Sequence, residues 1–264
     1  MKVLVATEKP FAAVAIQGIR KVVEEATEKA QLLAAVQDAD ALIIRSDKVD
    51  NEVLDAAKQL KIVVRAGAGY DNVDLAAATA HNVCVMNTPG QNSNAVAELV
   101  FGLLVFGVRN FYNGTSGIEL KGKKLGILAY GNVGRNVARI AKGFGMEVYA
   151  YDAFCPAAAI EADGVKAVAS TKALFETCQI VSLHIPATAE TKGSINAELM
   201  GAMPKGAILV NTARKEVMDE AALTQVLADR PDFKYLTDVM PAIHPELAEK
   251  FAGRYFSTTG KSIS

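Results

Sequence analysis

The chain has few of the residues that build metal sites or disulfides. It contains three cysteines and three histidines among 264 residues. Cys84, Cys155 and Cys178 lie in apolar or helical contexts without a paired spacing, which is typical of buried thiols rather than of a disulfide, a metal site or a nucleophile. We therefore predict that the protein binds no metal ion.

Long hydrophobic runs and blocks of like charge are also missing. No segment approaches the roughly 18 apolar residues of a membrane span, and the first apolar run is too short for a secretory signal. A formal net charge of −1 with interspersed lysines and glutamates does not suit a nucleic-acid or anionic-membrane surface. These absences predict a cytoplasmic protein with a small-molecule partner, no nucleic-acid partner and no membrane.

What the sequence does contain is a repeated alternation of short apolar runs and helical patterns. The runs lie at 3–6, 41–44, 62–64, 83–86, 125–129, 148–151, 180–184, 208–211 and 235–238. Such alternation predicts an α/β fold with doubly wound parallel sheets, covered by helices on both faces. The hydrophobic content of 51% is enough to fill two cores.

The pattern restarts near Asn87, and this restart suggests a domain boundary. We expect residues 1–88 to form a first domain and residues 89–254 a second, with a long apolar helix at 95–108 packing on the second. The run at 255–258 reads as a last strand, and we expect residues 255–264 to return to the first domain.

One segment of the first domain departs from the alternation. Residues 11–35 read as one nearly unbroken helical pattern, without the strand that a small parallel sheet normally places there. Either the segment is one long helix, or the chain lacks residues between Glu25 and Glu28.

Residues 125–152 have the layout of a dinucleotide-binding βαβ unit. An apolar run enters a turn in which Gly131 lets the backbone approach a pyrophosphate, while Gly134 lets the following helix pack closely on its strand. Asn132 and Val133 are expected at the helix N-terminus, where N–H groups without helical partners and the helix dipole favour a phosphate.

The acid at the end of this unit bears on the choice of cofactor. Asp152 follows Gly134 by 18 residues, and an acid at this position can accept hydrogen bonds from both ribose hydroxyls. It would also repel a 2′-phosphate, which favours NAD over NADP. The first glycine of the motif is replaced by Ala129, so the turn taken alone also fits a structural glycine turn.

Ligands of doubly wound sheets bind beyond the carboxyl ends of the strands, and an arginine follows one such strand in the second domain. The guanidinium of Arg214 could bind a 2-hydroxy or 2-oxo acid bidentately while polarising the reacting carbonyl. The alternative is a surface arginine paired with Glu216 or Asp219.

The first domain carries cations at the same kind of position. Arg45 and Arg65, with Ser46 and Lys48, would form a positively charged surface suited to a second anionic group of the substrate, such as a phosphate. The alternative is that the arginines pair with nearby aspartates. The backbone N–H groups of Gly67 and Gly69 could bind a carboxylate.

Two of the histidines are candidates for an acid/base. His184 lies at a strand end before Ile185 and Pro186, and its position fits an acid/base or, more readily, a loop anchor against the cofactor. His244 is the weaker acid/base candidate, while His81 reads as a solvated loop residue.

Five segments resemble the D-2-hydroxyacid dehydrogenases and, within them, the D-3-phosphoglycerate dehydrogenases. They are KIVVRAGAGYDNVDLAAA, VMNTPGQNSNAVAELVFG, KGKKLGILAYGNVGRNVA, VSLHIPATAETKGSIN and MPKGAILVNTARKEVMDEAAL, which occur in the family's order over roughly residues 60–240. The resemblance implies a flavodoxin-like substrate domain, a Rossmann NAD domain and a homodimer formed through the cofactor domain.

The resemblance also implies roles for individual residues. Asp238 would hold the nicotinamide carboxamide, and Arg214 would be the catalytic arginine. The whole set of NAD contacts would be Tyr130, Gly131, Asn132, Val133, Asp152, His184, Ile185, Pro186, Thr212, Ala213 and Asp238. The substrate contacts would be Arg45, Ser46, Arg65, Gly67 and Ala68.

The implied reaction is hydride transfer between C2 of D-3-phosphoglycerate and NAD, giving 3-phosphohydroxypyruvate on the way to serine. One alternative is a related dehydrogenase that reduces glyoxylate or hydroxypyruvate. The other is an NAD-sensing module that binds a partner without turnover.

Two departures from the family concern the acid/base. The glutamate that commonly follows the counterpart of Asp238 by five residues is Ile243 here, and the family's Thr-Pro-His segment is replaced by residues 257–261. Some relatives use a lysine in that segment, so Lys261 is a candidate proton shuttle whose pKa burial or nearby arginines would lower. The alternative is a frayed terminal lysine. We expect a short form without a C-terminal regulatory domain.

Overall fold

The computed structural model describes residues 2–6, 20–22 and 29–258. The chain divides between Asn92 and Ser93 into two compact units. Among the described residues, each unit contains one parallel sheet, with five strands in the first unit and seven in the second. The prediction of an α/β fold with two parallel sheets is therefore confirmed. The boundary that we had predicted, between residues 88 and 89, therefore lies inside the first unit.

The first unit has the strand order β2-β1-β3-β4-β5, which is the flavodoxin-like order. Its strands are β1 Lys2–Ala6, β2 Arg20–Val22, β3 Ala41–Ile44, β4 Ile62–Arg65 and β5 Cys84–Asn87, and its helices are α1 Lys29–Ala35, α2 Asn51–Ala56 and α3 Leu75–Ala80. Asp50 and Asp74 cap the N-termini of α2 and α3 by accepting hydrogen bonds from the backbone. Apolar residues of all three helices share one core with β1, β3 and β4.

The reading of residues 11–35 as a single helix is wrong. Arg20–Val22 pairs in parallel with β1, and α1 begins only at Lys29. The free edge of β1 supplies backbone hydrogen-bonding partners that periodicity along the chain does not reveal. The remaining parts of the segment, residues 11–19 and 23–28, lie outside the described residues.

The second unit has the strand order β12-β11-β10-β9-β6-β7-β8. Its strands are β6 Lys124–Leu128, β7 Glu147–Tyr151, β8 Lys166–Ala167, β9 Ile180–Leu183, β10 Ile208–Asn211, β11 Lys234–Thr237 and β12 Tyr255–Ser257. Its helices are α4 Ser93–Val108, α5 Asn132–Gly143, α6 Ala157–Ala162, α7 Thr171–Thr177, α8 Ala197–Ala202, α9 Glu220–Asp229 and α10 His244–Lys250. Short 3₁₀ turns occupy Asn110–Tyr112 and Lys215–Val217.

Helices cover both faces of the second sheet. Along β10, Ile208 and Val210 join the core that α4 and α5 cover, whereas Leu209 joins the core that α7, α8, α9 and α10 cover. Successive side chains of a strand point to opposite faces, so one short apolar run supplies both cores. The sheet is consequently buried on both sides, and the groups at its carboxyl edge are left for a ligand.

The prediction that residues 255–264 return to the first domain is wrong for the described part. Tyr255–Ser257 pairs in parallel with β11 and forms the edge of the second sheet. The rings of Tyr235 and Tyr255 stack with their centroids 6.1 Å apart, so backbone pairing and aromatic packing both hold the strand there. The structure does not describe residues 259–264, and this range includes Lys261.

The described part of the chain contains neither a candidate membrane span nor a candidate metal site. The helices found there fall short of the length and apolarity needed to cross a bilayer. Within residues 2–6, 20–22 and 29–258, no group of three or more His, Cys, Asp or Glu side chains is placed to bind a metal ion.

Candidate active site

The glycine turn after β6 is shaped for close packing of α5. Ala129, at the motif's first glycine position, has a left-handed φ of 76°, a conformation that glycine adopts more readily. A Cβ placed on Gly134 would collide with the carbonyl oxygen of Ala129 and lie 3.0 Å from Ile127 Cγ2. Gly134 therefore lets α5 approach its strand, as the motif predicts.

The start of α5 fits a pyrophosphate. A Cβ placed on Gly131 would meet no heavy atom within 4 Å in the described part of the chain. Gly131 is the N-cap of α5 and has no side chain that could accept a hydrogen bond from the first turn. The first N–H groups of α5, including those of Asn132 and Val133, are therefore left for a ligand. By contrast, Ser170, Asn196 and Asp219 cap the N-termini of α7, α8 and α9.

Asp152 lies directly after β7, where it contacts both the glycine turn and its own loop. Its Oδ2 accepts a hydrogen bond from Tyr130 N at 2.6 Å, and its Oδ1 accepts from Phe154 N at 2.7 Å and Cys155 N at 2.9 Å. Burial acts to raise the pKa of Asp152, but these backbone donors together with Arg135 lower it below its usual value. The carboxylate is therefore ionised and can accept hydrogen bonds from both ribose hydroxyl groups. Tyr130 as a whole is 2% exposed, so its ring is part of the core of the second unit.

An ion pair that the sequence did not suggest lies beside Asp152. Arg135 Nη1 is 2.5 Å from Asp163 Oδ2, and Tyr130 Oη donates to the same oxygen at 3.1 Å. Burial, followed by the contact with Asp163, raises the pKa of Tyr130 to about 12. Arg135 directly follows the last motif glycine, which is a local signal, but Asp163 comes after α6 and has no motif to mark it.

The turn that carries Arg214 is held by one buried amide. Asn211, which is 0% exposed, accepts a hydrogen bond from Ala213 N at 3.0 Å through Oδ1. Its Nδ2 donates to Arg214 O at 3.0 Å and to Tyr235 Oη at 3.2 Å. Arg214 Nη1 also donates to Ala213 O at 2.8 Å. The backbone that presents the guanidinium is thus fixed from within the core.

The neighbouring strand end carries Asp238, which is 2% exposed. Thr237 Oγ1 donates to Asn211 O at 2.7 Å and accepts from Val239 N at 3.0 Å, so the ends of β10 and β11 are tied together. Thr212 Oγ1 is buried and has no hydrogen-bond partner within the described residues. An unsatisfied buried hydroxyl at this edge fits a polar ligand such as a nucleotide.

His184 follows β9 and is held as a neutral ring. Its Nε2 lies 2.9 Å from Ser182 Oγ, and burial lowers the pKa of His184 to about 3. Ile185 packs against the core beneath α7, while Pro186 is exposed. A neutral imidazole anchored to the strand suits the predicted loop anchor better than an acid that gives up a proton near neutral pH.

The region of the missing family glutamate is apolar. Ile243 packs against the core beneath α10, and His244 Nδ1 lies 2.7 Å from Tyr255 Oη. Burial raises the pKa of Tyr255 to about 12. The contact therefore joins His244 to β12 through a neutral phenol.

The predicted cofactor residues of the second unit lie along one sheet edge. They follow β6, β7, β9, β10 and β11, and these strands are consecutive in the order β11-β10-β9-β6-β7. The structure therefore brings together the NAD candidates and Arg214, which sequence reasoning could assign only to separate strand ends.

The predicted substrate residues lie at the carboxyl edge of the first sheet. Ile44 pairs with Arg65 between β3 and β4, so Arg45 and Arg65 stand at neighbouring strand ends. The Arg65 guanidinium fills the space where a Cβ on Gly67 would be. Asn72 Nδ2 donates to Asp47 O at 2.6 Å and so holds the turn that follows β3.

Comparisons with known proteins identify the family of the chain. Residues 107–253 match the family model of the D-isomer specific 2-hydroxyacid dehydrogenase, NAD binding domain. An NAD⁺-bound 3-phosphoglycerate dehydrogenase of Entamoeba histolytica superposes with a TM-score of 0.90 at 43% identity, covering 99% of this chain and 87% of that chain.

Two further relatives have different activities. The D-3-phosphoglycerate dehydrogenase of Methanocaldococcus jannaschii is 38% identical over 215 residues, which is 76% of this chain but 41% of that protein. The hydroxypyruvate reductase of Thermotoga maritima is 38% identical over 217 residues, or 77% of this chain and 70% of that protein. Together with the matched domain, these likenesses show that the chain belongs to the D-isomer-specific 2-hydroxyacid dehydrogenase family, with an NAD-binding domain at residues 107–253.

Proposed function

We propose that the protein catalyses NAD-dependent oxidation of D-3-phosphoglycerate to 3-phosphohydroxypyruvate, a reaction on the way to serine. The observation that carries the proposal is the single sheet edge on which the uncapped start of α5, Asp152 and the Arg214 turn lie together. That edge offers a pyrophosphate site, a ribose acceptor and a guanidinium for an anionic substrate.

Each cofactor contact has a physical reason. NAD bound here would supply the hydride acceptor. The first N–H groups of α5 would bind the pyrophosphate, and the ionised Asp152 would accept the ribose hydroxyls. Asp238 and the Thr212 hydroxyl would orient the nicotinamide end, with Ile185 providing an apolar contact. His184, Pro186 and Ala213 complete the proposed set of contacts.

Arg214 is the proposed catalytic residue. Its guanidinium would bind the substrate carboxylate with paired hydrogen bonds and would stabilise the developing charge on the C2 oxygen. Asn211 fixes the backbone of its turn, so little reorganisation is needed when a substrate binds. We propose Lys261 as the residue that exchanges the C2 hydroxyl proton.

Arg45 and Arg65 are the proposed phosphate ligands, with Ser46, Gly67 and Ala68 as further substrate contacts. The two arginines stand at neighbouring strand ends of the first sheet, and guanidinium groups bind phosphate through charge-assisted hydrogen bonds. The second candidate function is reduction of hydroxypyruvate, which the Thermotoga maritima relative favours.

The test compares phosphorylated and unphosphorylated substrates in the Arg65→Gln variant. We expect its KM for 3-phosphohydroxypyruvate to rise on the order of tenfold or more, since a lost charge-assisted phosphate contact costs about 1.5–3 kcal/mol. The KM for hydroxypyruvate should change less than about twofold. Lys61→Gln is the matched control, because Lys61 precedes the same strand at its other end and is exposed.

The result separates the candidate functions. Equal effects on both substrates would remove the phosphate assignment and leave the hydroxypyruvate reductase. A protein that binds NADH but oxidises it with neither compound would instead indicate an NAD-sensing module.

We propose that the protein is a cytoplasmic homodimer joined through the second unit. Tyr112, Ile118 and Phe144 are 67%, 52% and 39% exposed, and a cavity of about 750 Å³ is lined by Val105, Ile118 and Phe144 among others. Exposed apolar groups around such a cavity are typical of an interface. Light scattering after size exclusion should give twice the chain mass, and a monomer would contradict the proposal.

A further inference from the structure

Arg135 lies in the first turn of α5 with its guanidinium held on two sides. Nη1 pairs with Asp163 Oδ2 at 2.5 Å, and the guanidinium carbon lies 4.9 Å from the centroid of the Tyr130 ring. Tyr130 Oη donates to the same Asp163 oxygen at 3.1 Å. One carboxylate thus holds both the arginine and the ring on which the arginine rests.

The position of this guanidinium matters because it adjoins the proposed ribose site. Arg135 Nη2 lies 3.7 Å from Cys155 Sγ, and the backbone N–H of Cys155 donates to Asp152 Oδ1 at 2.9 Å. Cys155 therefore contacts both Arg135 and the Asp152 carboxylate that is assigned to the ribose hydroxyls. The charge of Arg135 also helps to lower the pKa of Asp152, so this cation is close enough to the proposed ribose acceptor to attract a 2′-phosphate.

We propose that Asp163 is a second determinant of selectivity for NAD over NADP. Asp152 repels a 2′-phosphate directly, whereas Asp163 acts by occupying Arg135, which is the guanidinium that a 2′-phosphate would otherwise recruit. The inference rests on the proposed placement of the adenosine ribose at Asp152.

The charge balance of the cluster explains why both acids are needed. The cluster holds two carboxylates, Asp152 and Asp163, and two cations, Arg135 and Lys142, whose Nζ donates to the carbonyl oxygen of Asp163. These charges balance in the wild type. If Asp163 loses its charge, the cluster becomes net positive and attracts a 2′-phosphate more strongly. Because the Arg135 and Asp163 side chains are each 44% exposed, solvent screens the pair, and we expect a change of selectivity rather than its complete inversion.

The experiment measures nucleotide binding without a substrate. Dissociation constants for NADH and NADPH are determined from nucleotide fluorescence in the wild type and in Asp163→Asn. The asparagine keeps an acceptor for the Tyr130 hydroxyl, so the fold should be preserved. We expect the Kd for NADPH to fall about three- to fivefold and the Kd for NADH to change less than twofold, as for loss of one screened ion-pair partner.

Two variants isolate the contribution of Arg135. Glu161→Gln removes one negative charge from α6, the helix that Asp163 directly follows, at an exposed residue outside the ion pair. It should leave the NADPH affinity within about twofold of the wild type. In Asp163→Asn combined with Arg135→Ala, the gain in NADPH affinity should disappear.

The possible outcomes are distinguishable. An unchanged Kd for NADPH in Asp163→Asn overturns the proposal, as does an equal gain in Glu161→Gln or a gain that survives loss of Arg135. If the wild type binds neither nucleotide, the placement of the cofactor itself is wrong and the proposal is overturned together with it.

Discussion

Replacing Gly131 by alanine is expected to weaken nucleotide binding while leaving the free energy of unfolding almost unchanged. Gly131 has φ −82° and ψ −156°, a conformation that alanine adopts without strain. The added methyl group would enter the open space in front of the first turn of α5, and that is the space proposed for the pyrophosphate.

The two effects of Gly131→Ala on stability nearly cancel. Reducing the freedom of the unfolded chain stabilises by about 0.4–1 kcal/mol, whereas alanine is a poorer N-cap than glycine by roughly 0.5–1 kcal/mol. The melting temperature should therefore change by no more than a few degrees. Each lost hydrogen bond to a phosphate costs about 1.5–3 kcal/mol, so the Kd for NADH should rise roughly ten- to a hundredfold.

Gly134→Ala should lower the free energy of unfolding rather than act mainly on NADH binding. The added Cβ would collide with backbone at Ala129 and press on Ile127, and overpacking of this kind costs about 1–3 kcal/mol or more. For a domain of this size, each kcal/mol lowers the melting temperature by about 2–4 °C. Gly143→Ala is the control, because it lies at the end of α5 with open space around its added Cβ.

The assay combines thermal unfolding, followed by circular dichroism, with NADH titration. The reasoning is refuted if Gly131→Ala binds NADH as tightly as the wild type, or if it melts as early as Gly134→Ala. The Gly143→Ala control should match the wild type in NADH affinity.

Two other predictions concern the proton balance of His184 and the support of Arg214. Burial lowers the pKa of His184 from 6.5 to about 3, so the unfolded chain binds a proton that the folded chain does not; stability is complete above about pH 6.5 and falls as the pH drops toward 3. We expect the free energy of unfolding, measured with urea, to fall by about 1–2 kcal/mol less in His184→Asn than in the wild type between pH 6.5 and 5. The reason is that one proton changes this free energy by at most about 1.4 kcal/mol per pH unit. Parallel pH profiles of the two proteins would contradict the assignment. Asn211→Ala should lower kcat about a hundredfold by letting the Arg214 turn shift. The Kd for NADH should rise by a smaller factor, because only Thr212 and Ala213 of the proposed NAD contacts lie on this turn, and kcat should fall less in Tyr235→Phe. Steady-state kinetics and NADH titration check this, and an unchanged kcat or an equal loss of NADH affinity would refute the positioning role.

The strands illustrate what could be predicted from sequence and what could not. β3 and β10 have the predicted bounds, because both are buried runs whose composition marks them without reference to neighbours. β2 was missed because its sequence reads as helix, and only the free edge of β1 selects the extended state. The two-residue β8 was also missed, since it pairs with β7 over a stretch too short for any pattern.

The site divides in the same way. The glycine turn and Asp152 could be predicted together, because a βαβ unit folds contiguous sequence and the acid returns beside the turn that begins it. Asn211 and Tyr235 are separated by 24 residues, and Arg135 and Asp163 by 28. No local pattern relates such pairs.

By itself, the sequence determined the α/β class, the dinucleotide turn and the residues delivered to the strand ends, because these follow from local periodicity and backbone conformation. Only the tertiary structure decided that the last described strand belongs to the second sheet, that a buried amide holds the Arg214 turn, and that Asp163 holds Arg135. The physical reason is that strand order and side-chain pairing depend on which distant segments share an edge or a core.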